Sequence, residues 1–331
     1  MPEYCIVFWH LFNIKQMPEY DAVYFIQKPF TADTEQIGCY YFNILQAVEL
    51  CRSWKAAIIT PKMPLAPRDN VKVELNPADH WKHAILEYGS VDSREVLDYS
   101  KVATMSFDDF CIKSNRRVFM INKSVEIQGI QFNQDSNSKF LIIDLPQRWD
   151  TQGNDHQIFY NGLYSTLPLN HKLIDKNVPL WYSLRVKNPF LAVHWRRGDR
   201  GNTILGSIGH RLWISTEPDT VARHINNYLE RNPEIEWVCV STNSGSEFDK
   251  EVLQSLVKKD LFYFERPPNI KPLDLWKWDF LELLLSAATP NLMLSPGGLE
   301  HSSAFGRLMY AECLQQNPET ALVKFMPLLN C

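Results

Sequence analysis

Apolar residues in this chain fall into short unbroken runs: 22–25, 56–59, 140–143, 190–193, 237–240, 261–264 and 292–294. Each is closed by proline, by a polar turn or by charge. Runs of this length without alternation read as strands buried on both faces, the kind a parallel sheet contains. Between them the period lengthens to that of a helix. Ile44 to Trp54 carries Leu45, Val48 and Cys51 at helical spacing, and Glu217 to Arg231 repeats Val221, Ile225 and Leu229 every four residues. In the latter, Pro218 sits near the start and Asn232-Pro233 supplies the stop. Ser246 to Lys259 predicts a helix with Phe248, Val252, Leu253, Leu256 and Val257 on one core-facing side. Leu275 to Ala288 and Gly306 to Leu314 complete the helical set.

Weaker patterns fill the gaps. Val71 to Leu75, Val118 to Ile121 and Val125 to Ile130 read as strands, Asp79 to Tyr88 as a short helix, and Leu163 to Leu184 as a segment containing one. Gln147 to Asn161 is polar and reads as a loop; Gly201 to Gly209, with three glycines, reads as a flexible loop able to cover a ligand. Strands alternating with helices predict an α/β protein with parallel, doubly wound sheets. At 331 residues the chain is long enough for two domains. The polar turn Lys187-Asn188-Pro189 marks the expected boundary, giving domains at 1–187 and 188–331.

Composition narrows the function classes. With 45% apolar and 22% charged residues and a formal net charge of −4, the chain lacks the strong basic bias of a nucleic-acid binder. Any anion site must be built locally. No apolar run reaches the roughly 18 residues that span a bilayer, and the start of the chain lacks the basic and small-residue signals of a secretory leader. The default compartment is cytoplasmic, or the secretory lumen if the chain is a truncated piece. Seven cysteines without regular spacing predict reduced, buried thiols rather than zinc or a disulfide framework. His80 and His83 are one helical turn apart but have no third ligand nearby, so no metal site is expected.

The chemistry concentrates where the run 190–193 meets His194-Trp195-Arg196-Arg197-Gly198-Asp199-Arg200. In open α/β sheets, ligands bind beyond the carboxyl ends of the strands. Arginine holds phosphate oxygens through a planar fork that stays charged at working pH. A second strand end, a hundred residues on, carries Ser295-Pro296-Gly297-Gly298 and then Ser302-Ser303-Ala304-Phe305 ahead of a helix. Glycines there let backbone N–H groups approach an anion, and the serines add hydroxyls at a helix N-terminus. Ser302 and Ser303 also suit helix capping, and Phe305 suits core packing. Together the two strand ends make a diphosphate clamp.

His-x-Arg-Arg-x-Asp after a strand, followed about a hundred residues later by a Ser/Gly turn and Ser-Ser-x-Phe, resembles the fucosyltransferase superfamily of α1,2-, α1,6- and protein O-fucosyltransferases. The resemblance spans about residues 190–310 and implies a GT-B fold: two facing Rossmann-like domains, with the sugar nucleotide held mainly by the second. It implies an inverting, metal-independent transfer of fucose from GDP-fucose to a glycan or protein hydroxyl, with no separate cofactor. On that basis Arg196 and Arg197 hold the donor diphosphate and offset leaving-group charge. His194 contacts the nucleotide and orients the arginines, and Asp199 braces a guanidinium. Ser302, Ser303 and Phe305 lie at the diphosphate and the fucose or base. Asp279, with Glu282 competing for the place, reads guanine. The family's N-terminal glycine loop corresponds to Gly38 through Asn43, where Gly38 and Asn43 match and tyrosines replace other positions.

No general base emerges beyond Asp144 and Asp155, two acids at a strand end and in a loop. Trp276 and Trp278 suit either a sugar face or packing. Two other readings share these residues: a GT-B transferase using another nucleotide sugar, and a degenerate transferase that binds without catalysis.

Overall fold

The computed structural model describes residues 22–27, 41, 44–45, 48, 51–52, 55–60, 62–63, 91–105, 118–121, 140–145, 167–173, 178–197, 206–243, 246–265, 272–298 and 303–329. The chain divides into two compact units, Met1–Asp150 with Thr166–Pro168, and Thr151–Ser165 with Leu169–Cys331. The expected boundary at 187 therefore falls inside the second unit. Aromatic packing explains why: in the short helix α1 (Leu180–Ser183), Trp181 stacks on Phe262 at 5.4 Å and Tyr182 donates to the Leu285 carbonyl at 2.9 Å. These contacts tie α1 to the second unit ahead of the polar turn.

The first unit holds a sheet of β1 (Ala22–Gln27), β2 (Ala57–Ile59), β5 (Thr104–Met105), β6 (Val118–Ile121) and β7 (Phe140–Leu145), in the order β5-β2-β1-β7-β6. Every pairing is parallel. A two-stranded antiparallel ribbon, β3 (Lys62–Met63) with β4 (Val91–Asp92), stands apart. Ile44, Leu45, Val48 and Cys51 are helical and buried, as the predicted helix from Ile44 requires, and Tyr41, expected in the loop ahead of it, is helical and buried as well. Asp144 sits on β7 in register with Ile26.

The second unit carries β8 (Phe190–Trp195), β9 (Trp237–Thr242), β10 (Asp260–Tyr263), β11 (Asn291–Leu294) and β12 (Leu322–Phe325), ordered β10-β9-β8-β11-β12 and all parallel. The chain winds outward from β8 to β10, then crosses back to β11 and β12. The reversal therefore lies between β8 and β11, where such sheets open a ligand crevice. The helices are α2 (Gly206–Ser215), α3 (Pro218–Arg231), α4 (Glu247–Leu256), α5 (Pro272–Ala287) and α6 (Ala304–Gln316). α3 and α4 pack together on one face and α5 and α6 together on the other, the division that right-handed crossovers from a central β8 lead one to expect.

β8 is buried along its whole length, as the central strand of a parallel sheet must be. Its side chains alternate between faces. Leu191, Val193 and Trp195 join Val221, Ile225, Val238, Val240 and Leu253 in one core on the α3/α4 face. His194, out of phase with them, belongs to the α5/α6 side.

Several expectations change. The loop predicted for 201–209 gives way at Gly206 to α2, because Ile208, Leu212 and the residues between them continue a helix despite Gly206 and Gly209. The helix predicted for 246–259 ends at Leu256, with Val257 already extended. Within it Leu253 is buried, whereas Phe248 is 72% and Leu256 43% exposed. Leu253 and Val257 carry the buried side, packed with Val238, Val240 and Leu261 of the sheet, while Phe248 and Leu256 fall on the rim of the predicted stripe. Between 163 and 184 the described helical turns are His171–Leu173 and α1. Strand β12 was not expected, since Leu322-Val323-Lys324-Phe325 alternates in exposure at a sheet edge. The segments 71–75, 79–88, 125–130 and 147–161 lie outside the described residues, as do His80, His83 and Asp155. Cys51, Cys239 and Cys313 are free and buried, and burial pushes each thiol upward in pKa. Among the described residues no helix is long and apolar enough to cross a membrane.

Candidate functional site

The carboxyl ends of β8 and β11 are stitched together by one hydroxyl. Leu294 pairs with His194, so Ser295 emerges beside the point where β8 ends. Ser295 Oγ donates to the His194 carbonyl at 2.8 Å and accepts the Arg196 N–H at 2.7 Å. At 1% exposure, that hydroxyl replaces the ladder bonds that both strand ends would otherwise lack. On the other side, Thr242 Oγ1 donates to the Trp195 carbonyl at 2.7 Å, and the Arg197 N–H reaches Asn243 Oδ1 at 2.9 Å. The turn that carries the arginines is thus held from both neighbouring strands.

His194 is 5% exposed, and its Nε2 lies 3.2 Å from Ser303 Oγ. Ser303 is the N-cap of α6, accepting the Gly306 N–H at 3.0 Å. Phe305 tilts against the imidazole with ring centres 6.0 Å apart. Gly297 and Gly298 adopt φ of 100° and 67°. At Gly298 a Cβ would meet nothing within 4 Å, so left-handed backbone, not crowding, calls for glycine there.

The two arginines part company. Arg196 is half-buried. Arg197 was expected beside it on a diphosphate, but its side chain is 6% exposed and faces protein. Its Nε donates to Asp249 Oδ2 at 2.9 Å, one terminal nitrogen to Glu217 Oε2 at 2.8 Å, and the other to the Trp213 carbonyl at 3.1 Å. The guanidinium also lies 3.7 Å from the centre of the Trp213 ring. Two carboxylates against one guanidinium leave no net positive charge for an anion. The partners Trp213, Glu217, Asn243 and Asp249 escaped the sequence reading. Strand phase was the available signal: Arg197 continues the phase of Val193 and Trp195 toward α3 and α4, and Arg196 that of His194.

Of the two acids weighed on α5, Glu282 accepts a hydrogen bond from Ser241 near the end of β9. Asp279, half-buried, lies one turn earlier on the same helix. Trp278 is 8% exposed within the second unit. His194, Arg196, Ser295 and Ser303 come together at the strand reversal, and Gly297 follows on the same turn. Asp199, Ser302, Gly38 and Asn43 lie outside the described residues.

No family model matches the sequence, and no curated protein matches it. Among solved structures, POFUT1 in complex with GDP matches with a TM-score of 0.57 at 9% identity, covering 94% of this chain and 99% of that one. The NodZ alpha-1,6-fucosyltransferase soaked with GDP-fucose gives a TM-score of 0.46 at 10% identity, covering 88% of this chain and 92% of that one. At such identity the first likeness speaks to fold alone. The chain has the α/β, parallel-sheet fold of the GT-B class that its strand and helix pattern and its motif predicted.

Proposed function

We propose that the chain is an inverting glycosyltransferase that moves fucose from GDP-fucose to a glycan or protein hydroxyl. The observation that carries this reading is the junction at the strand reversal, where Ser295 fixes the backbone of Arg196 beside His194 and the capped start of α6. A fixed backbone carrying an arginine next to a helix N-terminus suits a diphosphate. The fold shared with POFUT1, whose structure holds GDP, supports the same donor class.

In this mechanism the acceptor oxygen attacks the anomeric carbon while its bond to the β-phosphate oxygen breaks. GDP leaves with the bonding electron pair, and the acceptor proton passes to a base or to solvent. Negative charge grows on the leaving diphosphate, so a guanidinium placed there lowers the barrier. Arg196 supplies that charge. His194, Gly297 and the Ser303 end of α6 line the phosphate side, Phe305 backs His194, and Asp279 with Glu282 lies toward the base. The reaction in this reading needs no metal.

The test is calorimetric titration of GDP, UDP and ADP into the wild type and Arg196→Ala in the presence of EDTA. Selective GDP binding, weakened at least tenfold by the substitution, is expected for a charged hydrogen-bonded contact. Absence of nucleotide binding by the wild type, or equal binding by the variant, overturns the assignment. Transfer of fucose from GDP-fucose to a supplied hydroxyl acceptor, with release of GDP, then separates a transferase from a binding protein.

A further inference from the structure

We infer that Glu217 and Asp249 are positioning residues for nucleotide binding, acting through the enclosed guanidinium of Arg197 to hold the adjacent Arg196 in place. This inference rests on the donor-site reading above.

Three structural elements converge on Arg197. Asp249 is the third residue of α4, Glu217 is the N-cap of α3, and Trp213 lies in the last turn of α2. Their contacts to Arg197 run from 2.8 to 3.1 Å, and the Trp213 ring closes one face of the guanidinium. Glu217 forms no side-chain cap with its own helix, and its carboxylate is on Arg197 instead. Asp249 is itself pinned, its N–H bonded to Ser246 Oγ at 3.1 Å. A side chain 6% exposed between two carboxylates cannot swing out to a ligand without leaving both acids facing each other.

The anchored residue is the immediate neighbour of Arg196. Between them lies one peptide group, whose own N–H, that of Arg197, is held by Asn243, while the N–H of Arg196 just before it is held by Ser295. The Arg197 side chain adds a third hold on this turn, tying it to α2, α3 and α4; loosening it leaves Ser295 and Asn243 alone to fix the Cα from which Arg196 reaches. The strut thus converts the mutual placement of α2, α3 and α4 into the aim of one arginine, as supporting groups do for a ligand-binding side chain.

A merely structural role and a positioning role differ in their coupling to Arg196, which a double-mutant cycle on GDP affinity reads. Asp249→Asn keeps the shape of the side chain and removes its charge, and Arg196→Lys keeps enough charge for affinity to stay measurable. Asp249→Asn is expected to weaken GDP binding roughly tenfold in the wild-type background and less than twofold on top of Arg196→Lys. The fall in Tm should be equal in both backgrounds. Glu217→Gln, at a side chain 38% exposed and so tolerant of change, should act in the same direction by about threefold. Arg197→Lys should not rescue either, since an ammonium cannot span acceptors arranged for a planar fork. Unchanged GDP affinity in Asp249→Asn and Glu217→Gln, or losses that multiply with Arg196→Lys, overturns the inference while leaving the donor site standing. A wild type that binds no nucleotide overturns both.

Discussion

Ser303 Oγ serves two partners at once, accepting the Gly306 N–H at 3.0 Å as the cap of α6 and meeting His194 Nε2 at 3.2 Å. One hydroxyl therefore links the start of a helix to the end of the central strand. The two roles are separable by substitution. Ser303→Ala removes both and should cost about 1 kcal/mol of cap energy, lowering Tm by roughly 2–4 °C. Ser303→Gly retains most of the capping preference, within a few tenths of a kcal/mol. It should regain the lost Tm but not the GDP affinity. Calorimetry and a thermal melt on the three proteins check this; recovery of affinity in the glycine variant would show that His194 does not depend on the hydroxyl.

Trp195 tests how firmly the site is set into the core. It is fully buried, and its indole N–H donates to the Thr216 carbonyl at 2.9 Å, one residue ahead of Glu217. Trp195→Phe leaves that carbonyl without its donor and opens a small void, a loss of about 1–3 kcal/mol. Trp195→Ala should cost about 3–5 kcal/mol. Denaturant midpoints at constant m-value measure both, and an alanine variant no less stable than the phenylalanine one would contradict the packing described.

Two residues on one helix separate pattern from burial. Leu253 is 0% exposed and Phe248 is 72% exposed, although periodicity assigns both to the core side of α4. Leu253→Ala should cost about 2–5 kcal/mol, whereas Phe248→Ser should stay within about 0.5 kcal/mol of wild type. A large loss at Phe248 in urea unfolding would mean that it is covered in solution.

The contrast shows what periodicity carries. The runs at 190–193 and 237–240 were legible as buried strands because a central parallel strand needs apolar residues on both faces. The two strand ends at His194 and Ser295 were read together from their residues, whereas the strand order that puts the reversal between β8 and β11 came from the structure. What sequence could not supply was the partner of each charge. Arg196 and Arg197 look equivalent as a dipeptide, yet one is enclosed by acids contributed from 20 and 52 residues away. Such separations carry no local signature. Nor does an edge such as β12, where exposure alternates and lysine intervenes.

The acid Glu312 gives the molecule a pH dependence of predictable sign. Its side chain on α6 is 0% exposed, and burial pushes its pKa up to about 7, against a smaller opposing pull from Gln316, whose amide donates to it at 2.7 Å. His171 Nε2 lies 3.1 Å away, but its ring is 49% exposed and screened by solvent, so burial prevails. A carboxyl raised in the folded state favours folding fully below its unfolded pKa, and that contribution is lost as pH rises through the folded value. Stability should therefore fall between about pH 4.5 and 7 by a few kcal/mol at most, roughly 3 for a shift of this size. Glu312→Gln keeps an oxygen for the Gln316 amide and has no charge to bury. Its stability should be flat over the same window and exceed that of the wild type above pH 7. Urea unfolding at pH 5.5, 6.5 and 8 decides the matter: parallel pH profiles for the two proteins would mean that Glu312 is not the group being desolvated.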